Sequence, residues 1–237
     1  THLTELATVL PTAAVQAFAG EVFKTRDSAH AGHQHDEKMP WQLDRCHALR
    51  SDGPAVAKAL DQHCPAHIVV DPVMVATSGA QLLANSAIEV LRKRLLPMAT
   101  VVTPNLPEAE FLLGHPIADL DAMRAACDAL LDLGAGAVLL KGGHLAGGDE
   151  VVDLFSARRE SGGRMHREMR HPRLALDAHG TGCTLASAVA AQLALGMPLS
   201  DACNAATDYV HRALQGGSRP GRGNILVLDH FGAAEQR

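Results

Sequence analysis

The chain has 237 residues, a net charge of −5, 47% hydrophobic residues and five cysteines. That length suits one α/β domain that buries a core without metals or disulfides, and the acidic balance, with no basic run beyond pairs such as Arg158-Arg159, argues against nucleic acid or an anionic membrane as main partner. Cys46, Cys64, Cys127, Cys183 and Cys203 lack C-x-x-C spacing, which speaks against a disulfide framework or zinc site and fits a reducing cytoplasm.

No apolar run is long enough to cross a membrane. The first twenty residues read as an amphipathic helix on Leu3, Leu6 and Leu10, with Glu5 and no basic leader. Residues 20–55 show neither helical nor strand period. Their His30, His33 and His35, followed by Asp36, are open to two readings, a metal site or a polar histidine-bearing loop.

From His67 the order is legible. His67–Met74 is a β-branched run ending in Asp71-Pro72, as in a buried parallel strand. A helix is predicted over Ser86–Leu96, stopped by Pro97, then a strand over Thr100–Thr103 and a short helix over Leu106–Leu113 closed by Gly114. Asp121–Leu133 has helical spacing and ends at Gly134, and Ala137–Leu140 is a third strand running into Lys141-Gly142-Gly143-His144. Glu150–Ala157 and Glu168–Leu176 suit an antiparallel pair turning at Gly162-Gly163. Helices over Thr184–Leu195 and from Ser200 to before Gly216, with a closing strand at Ile225–Leu228, complete the pattern.

Strands alternating with helices imply a mostly parallel sheet whose site lies beyond the strands' carboxyl ends. Asp71, Asn105 and Lys141 all fall at such ends and should converge on one rim. Near the C-terminus, Ala178-His179-Gly180-Thr181-Gly182-Cys183-Thr184 is a small-residue loop leading into an alanine-rich helix. Its glycines allow close backbone approach, and a helix N-terminus offers amides and positive dipole to an anion. The same string also suits a merely structural strand-to-helix turn. It matches neither a Rossmann fingerprint nor a Walker A loop.

Four segments taken together, Asp71-Pro72-Val73-Met74, Thr103-Pro104-Asn105-Leu106-Pro107-Glu108-Ala109-Glu110, Leu140-Lys141-Gly142-Gly143-His144 and His179-Gly180-Thr181-Gly182-Cys183-Thr184, strongly resemble the hydroxymethylpyrimidine and phosphomethylpyrimidine kinases of thiamine biosynthesis, which have the ribokinase-like fold. The resemblance covers roughly residues 65–230. It implies an α/β architecture with a mostly parallel central sheet flanked by helices, without the family's usual first strands, and a division into an atypical segment 1–60 and a kinase domain 61–237. Residues 1 to about 55 do not align with the family, so a wall of the substrate pocket and a covered sheet edge are expected to be lacking.

The resemblance further implies transfer of the γ-phosphoryl of ATP, with Mg²⁺, to a hydroxymethyl pyrimidine or its monophosphate. The Gly180, Thr181, Gly182 and Cys183 amides would form the anion hole. Lys141, with Gly142 and Gly143, would meet the nucleotide phosphates. Asn105 and Glu108 would hold magnesium, largely through water, with Asp71 in the same shell. Val73 and Met74 would shape the pyrimidine pocket. Cys183 stands where most ribokinase-like kinases carry an aspartate base, and at a helix N-terminus its thiol would accept the alcohol proton.

Bland alternatives are a solvated first-turn carboxylate for Glu108 and an inert buried thiol for Cys183. Competing functions are a pyridoxal-type kinase or a non-catalytic binder. A homodimer is the family's common state.

Overall fold

The computed structural model describes residues 14–18, 54, 56–74, 85–145, 147–176, 178, 180–220 and 225–235, with backbone alone for 14–18 and 85–86. The amphipathic stretch around Leu3 to Leu10 and the His30/His33/His35 segment lie outside the described residues, as do Cys46 and His179.

One sheet organises the chain. Its strands are β1 (Ala14–Phe18), β2 (His67–Asp71), β3 (Val101–Val102), β4 (Ala137–Leu140), β5 (Glu150–Arg158) and β6 (Arg164–Pro172), in that spatial order. The first four are parallel and the last two form an antiparallel hairpin. Helices are α1 (56–63), α2 (Asn85–Val90), α3 (Leu106–Leu113), α4 (Leu120–Asp132), α5 (Thr181–Ala194), α6 (Leu199–Gln215) and α7 (His230–Glu235).

Alternation along the strands splits the core in two, because successive side chains leave opposite faces of a sheet. Ile68, Val70, Val102, Val138, Leu140 and Leu154 pack with α2, α3 and α4, while Val69, Val101, Leu139 and Phe155 pack with α5 and α6. All four residues of β4 are fully buried, as expected of a strand covered on both faces. Among the described residues no helix is long and apolar enough to cross a membrane.

Several boundaries differ from the sequence reading. Residues 14–18 form a strand where the apolar spacing suggests a helix, and β1 pairs with β2 from Ala14↔His67 to Phe18↔Asp71, so the edge of β2 is covered. Pro97 does not stop its helix: a π turn over Leu91–Leu95 leads into Leu96–Met98, where Pro97 occupies a first-turn position that needs no N–H. The hairpin's second strand begins at Arg164, four residues before the expected Glu168. Residues 225–228 contribute only isolated bridges, Ala178↔Leu226 and Ser218↔Val227. The glycine-loop helix begins at Thr181 rather than Thr184.

Candidate functional site

The rim past β2, β3 and β4 collects the predicted polar residues. Asp71 is the last residue of β2 and is 1% exposed. Past the end of β3 the ladder continues as a single bridge between Asn105 and Lys141, with Lys141 N–H donating to the Pro104 carbonyl at 2.9 Å. Lys141 reaches Asp71 from that rung. Lys141 Nζ lies 3.0 Å from Asp71 Oδ1 and 3.8 Å from Glu108 Oε2. Thr103, which sequence reasoning does not single out, donates its hydroxyl to the same Asp71 Oδ1 at 3.1 Å.

Glu108 is held by a capping box. Asn105 Oδ1 accepts the Glu108 N–H at 2.8 Å, and Glu108 Oε2 accepts the Asn105 N–H at 2.7 Å. Its carboxyl turns inward and is 2% exposed, which excludes the solvated first-turn alternative. Burial pushes its pKa up to about 7, against the opposing pull of Lys141 and the amides of Asn105 and Met74.

Gly180 takes a left-handed conformation, φ 83°, and forms the N-cap of α5, which only a residue without a β-carbon does freely. The first helical bond is Thr184 N–H to the Gly180 carbonyl at 2.9 Å, so α5 itself offers no acceptor to the amides of Thr181, Gly182 and Cys183. Gly182 backs directly onto the rim: a β-carbon there would stand 2.9 Å from Lys141 Nζ and 3.8 Å from Asp71 Oδ2.

A cavity of about 240 Å³ opens beside this cluster. Its lining combines the polar Lys141, Asn105 and Asp153 and the backbone of Gly182 with the apolar Val151, Leu185, Val210 and Leu214. Such a mixed lining suits a ligand that carries both charged and apolar parts. Asp153, also absent from the sequence reading, accepts the Gly142 N–H at 2.8 Å, and burial raises its pKa.

Not every predicted residue joins the cluster. Cys183, half-buried at the third position of α5, lines a different cavity of about 490 Å³ with Thr184, Ser187, Gln192, Tyr209 and His230. Met74 is fully buried in the larger core cluster, while Val73 is half-buried; neither lines the 240 Å³ cavity. Cys127 and Cys203 are buried, and desolvation pushes both thiols up to about 12, so they are inert at neutral pH.

The oxygen-rich rim fits a magnesium ion. Asp71 Oδ2 is buried and has no hydrogen-bond partner among the described residues, and Glu108 supplies a second carboxylate nearby. No group of three or more His, Cys, Asp or Glu suited to a metal occurs among the described residues. Two carboxylates completed by water and phosphate oxygens are what this ion prefers.

The sequence profile of the phosphomethylpyrimidine kinase family matches residues 53–228. The chain belongs to that family. It is 47% identical over 166 residues to the hydroxymethylpyrimidine/phosphomethylpyrimidine kinase of Rhizobium meliloti, covering 66% of this chain and 59% of the relative. It is 46% identical over 181 residues to the thiamine biosynthesis bifunctional protein ThiED of Geobacter sulfurreducens, covering 76% of this chain and 36% of the relative. The chain therefore spans between about a third and three fifths of these relatives.

Among solved structures, the pyridoxal kinase of Staphylococcus aureus in complex with pyridoxal superposes with a TM-score of 0.69 at 30% identity, over 79% of this chain and 65% of that one. A phosphomethylpyrimidine kinase from Clostridium difficile gives 0.54 at 32% identity, over 68% and 62%. Both support the ribokinase-like fold expected from the sequence.

Proposed function

We propose that the chain carries the phosphoryl-transfer site of an ATP-dependent kinase acting on 4-amino-5-hydroxymethyl-2-methylpyrimidine, its monophosphate, or both. The observation that carries this reading is the apposition of Lys141 Nζ to the amide-rich first turn of α5 at Gly182. Phosphoryl transfer asks the protein chiefly to align reactants and neutralise spreading charge. The amides of Thr181, Gly182 and Cys183, at the positive end of the α5 dipole, would bind the transferring group, with Gly180 setting the turn. Lys141 supplies a mobile point charge, and Gly142 and Gly143 let the backbone pass close to the nucleotide. The apolar side chains of the cavity, among them Leu185, Val210 and Leu214, would take the adenine ring.

Asp71 and Glu108 would hold magnesium, with Asn105 fixing Glu108 through the capping box. When bound, that ion neutralises phosphate charge. Cys183 would accept the alcohol proton, and Val73 and Met74 would support the pyrimidine pocket from behind. The same reading takes small molecules as the partners, a homodimer as the assembly and the cytoplasm as the location.

A pyridoxal-type kinase is the second reading, favoured by the higher TM-score to the S. aureus enzyme. The higher sequence identity to the pyrimidine kinases favours the first. Coupled detection of ADP from Mg-ATP with each pyrimidine and with pyridoxal decides between them. ADP with a pyrimidine is expected, and ADP with pyridoxal alone, or with no alcohol, would overturn the proposal. Cys183→Ala should lower turnover about a hundredfold, the scale of general-base catalysis, while sparing ATP affinity.

A further inference from the structure

The loop from Lys141 to β5 is gripped by a side chain of β5 and by one just past the end of β6. Asp153 Oδ1 accepts the Gly142 N–H at 2.8 Å, immediately after Lys141. The Arg173 guanidinium donates to three carbonyls of that loop, Gly143 at 3.0 Å, Leu145 at 3.1 Å and Gly148 at 3.3 Å, and to that of Glu150 at the start of β5 at 3.2 Å. Its own N–H donates to the Asp149 carbonyl at 2.7 Å.

An arginine spending its fork on backbone carbonyls, and a carboxylate on a backbone amide, fix main-chain direction rather than bind solvent. The turn has little slack, because a β-carbon at Gly142 would fall 1.9 Å from the Val152 carbonyl oxygen. Upstream, Lys141 is already fixed by its backbone bond to Pro104. The two grips therefore determine where the chain leaves Lys141, and with it the wall of the cavity made by Gly143 and His144.

We propose that Asp153 and Arg173 are positioning residues that set the Lys141–Gly143 turn for nucleotide phosphate binding. This rests on the kinase reading above. Asp153 does so as a hydrogen-bond acceptor, so an asparagine oxygen should replace it.

Hydrogen exchange of the 141–150 segment, calorimetric ADP affinity and turnover are to be measured for the wild type, Asp153→Ala, Asp153→Asn and Arg173→Ala. Loss of a charge-assisted hydrogen bond is worth about tenfold. Asp153→Ala and Arg173→Ala should each speed loop exchange and weaken ADP binding by about that factor, with α4 exchange unchanged. Asp153→Asn should return both to within about threefold of wild type. Wild-type exchange and affinity in Asp153→Ala or in Arg173→Ala, Asp153→Asn as impaired as Asp153→Ala, or equal acceleration in α4 would each overturn the proposal. If the wild type makes no ADP from any alcohol, the kinase reading fails, while loop exchange still decides the roles of Asp153 and Arg173.

Discussion

Lys141 and Gly182, forty-one positions apart in the chain, touch because Gly182 has no side chain: the space a β-carbon would need ends 2.9 Å from the Lys141 ammonium. The ammonium is also 3.0 Å from Asp71 and 3.8 Å from Glu108. A helix N-terminus, a cation and two carboxylates thus share one rim, arranged so that added negative charge is met by amides and lysine together.

Gly182→Ala separates this arrangement from stability. Gly182 sits in the first turn of α5, its neighbour is the end of a flexible side chain, and alanine is the better helix former by about 1 kcal/mol. The variant should unfold in urea within about 1 kcal/mol of wild type. Nucleotide affinity should fall about tenfold, because the added methyl pushes the ammonium tip away from the α5 amides while it stays on the carboxylates. A destabilised variant with intact affinity would contradict this.

Lys141→Met tests the opposite balance. Asp71 and Glu108 are 1% and 2% exposed, and removal of their common cation leaves buried carboxylates without a charge partner. Breaking such a cluster costs about 3–5 kcal/mol. The deficit should shrink as pH falls, since Glu108, whose pKa burial pushes up to about 7, becomes protonated and no longer needs the cation. Urea titrations at pH 5 and pH 8 provide the measurement, and an equal deficit at both would remove the electrostatic explanation.

How much of this is legible in the sequence depends on whether local signals suffice. Leu106–Leu113 and Ala137–Leu140 are read with correct ends because Asn105 and Pro107 open the helix, Gly114 closes it and an apolar run marks the strand. Convergence of Asp71, Asn105 and Lys141 follows from the rule that parallel strands carry sites at their carboxyl ends. The start of α5 lies at Thr181 rather than at the expected Thr184 because only Gly180 takes a left-handed φ, while Gly182 is helical. The first half of β6 escapes a period-based reading because its charged residues, Arg164 and Arg167, pair with Asp132 at 2.6 Å and Asp201 at 2.9 Å across the fold, leaving no apolar alternation. Thr103, Asp153 and Arg173 act through partners far along the chain or through backbone groups, which no local period reveals.

Glu108 should make stability of the metal-free protein depend on pH. Its pKa is about 7 when folded against an ordinary 4.5, so between these values the folded state binds more protons than the unfolded one. Stability contributed by the protonated carboxyl is fully present below about 4.5, declines as pH rises through the window and levels off above about 7. The span is about 3 kcal/mol, at 1.36 kcal/mol per pKa unit. Glu108→Gln, neutral throughout and still able to accept the Asn105 N–H, should remove this decline and exceed wild-type stability near pH 8. Urea midpoints in chelator from pH 5 to pH 8 give the comparison, and a flat wild-type curve would refute it.

Gly142 and Gly143 are adjacent yet should respond differently to alanine. At Gly142 a β-carbon would fall 1.9 Å from the Val152 carbonyl oxygen and 3.3 Å from Met123 Cε, so relief requires the backbone of β5 or of the turn to shift. Backbone cannot yield as a lysine tip can, and such a shift also pulls the Gly142 N–H from Asp153. Gly142→Ala should therefore cost about 3 kcal/mol or more, at the upper end of single substitutions. At Gly143 a β-carbon would meet no atom within 4 Å and φ is not left-handed, so Gly143→Ala should change stability by less than about 0.5 kcal/mol. Thermal and urea unfolding of the pair provide the measurement; equal effects at both positions would show that the turn is not pressed against β5.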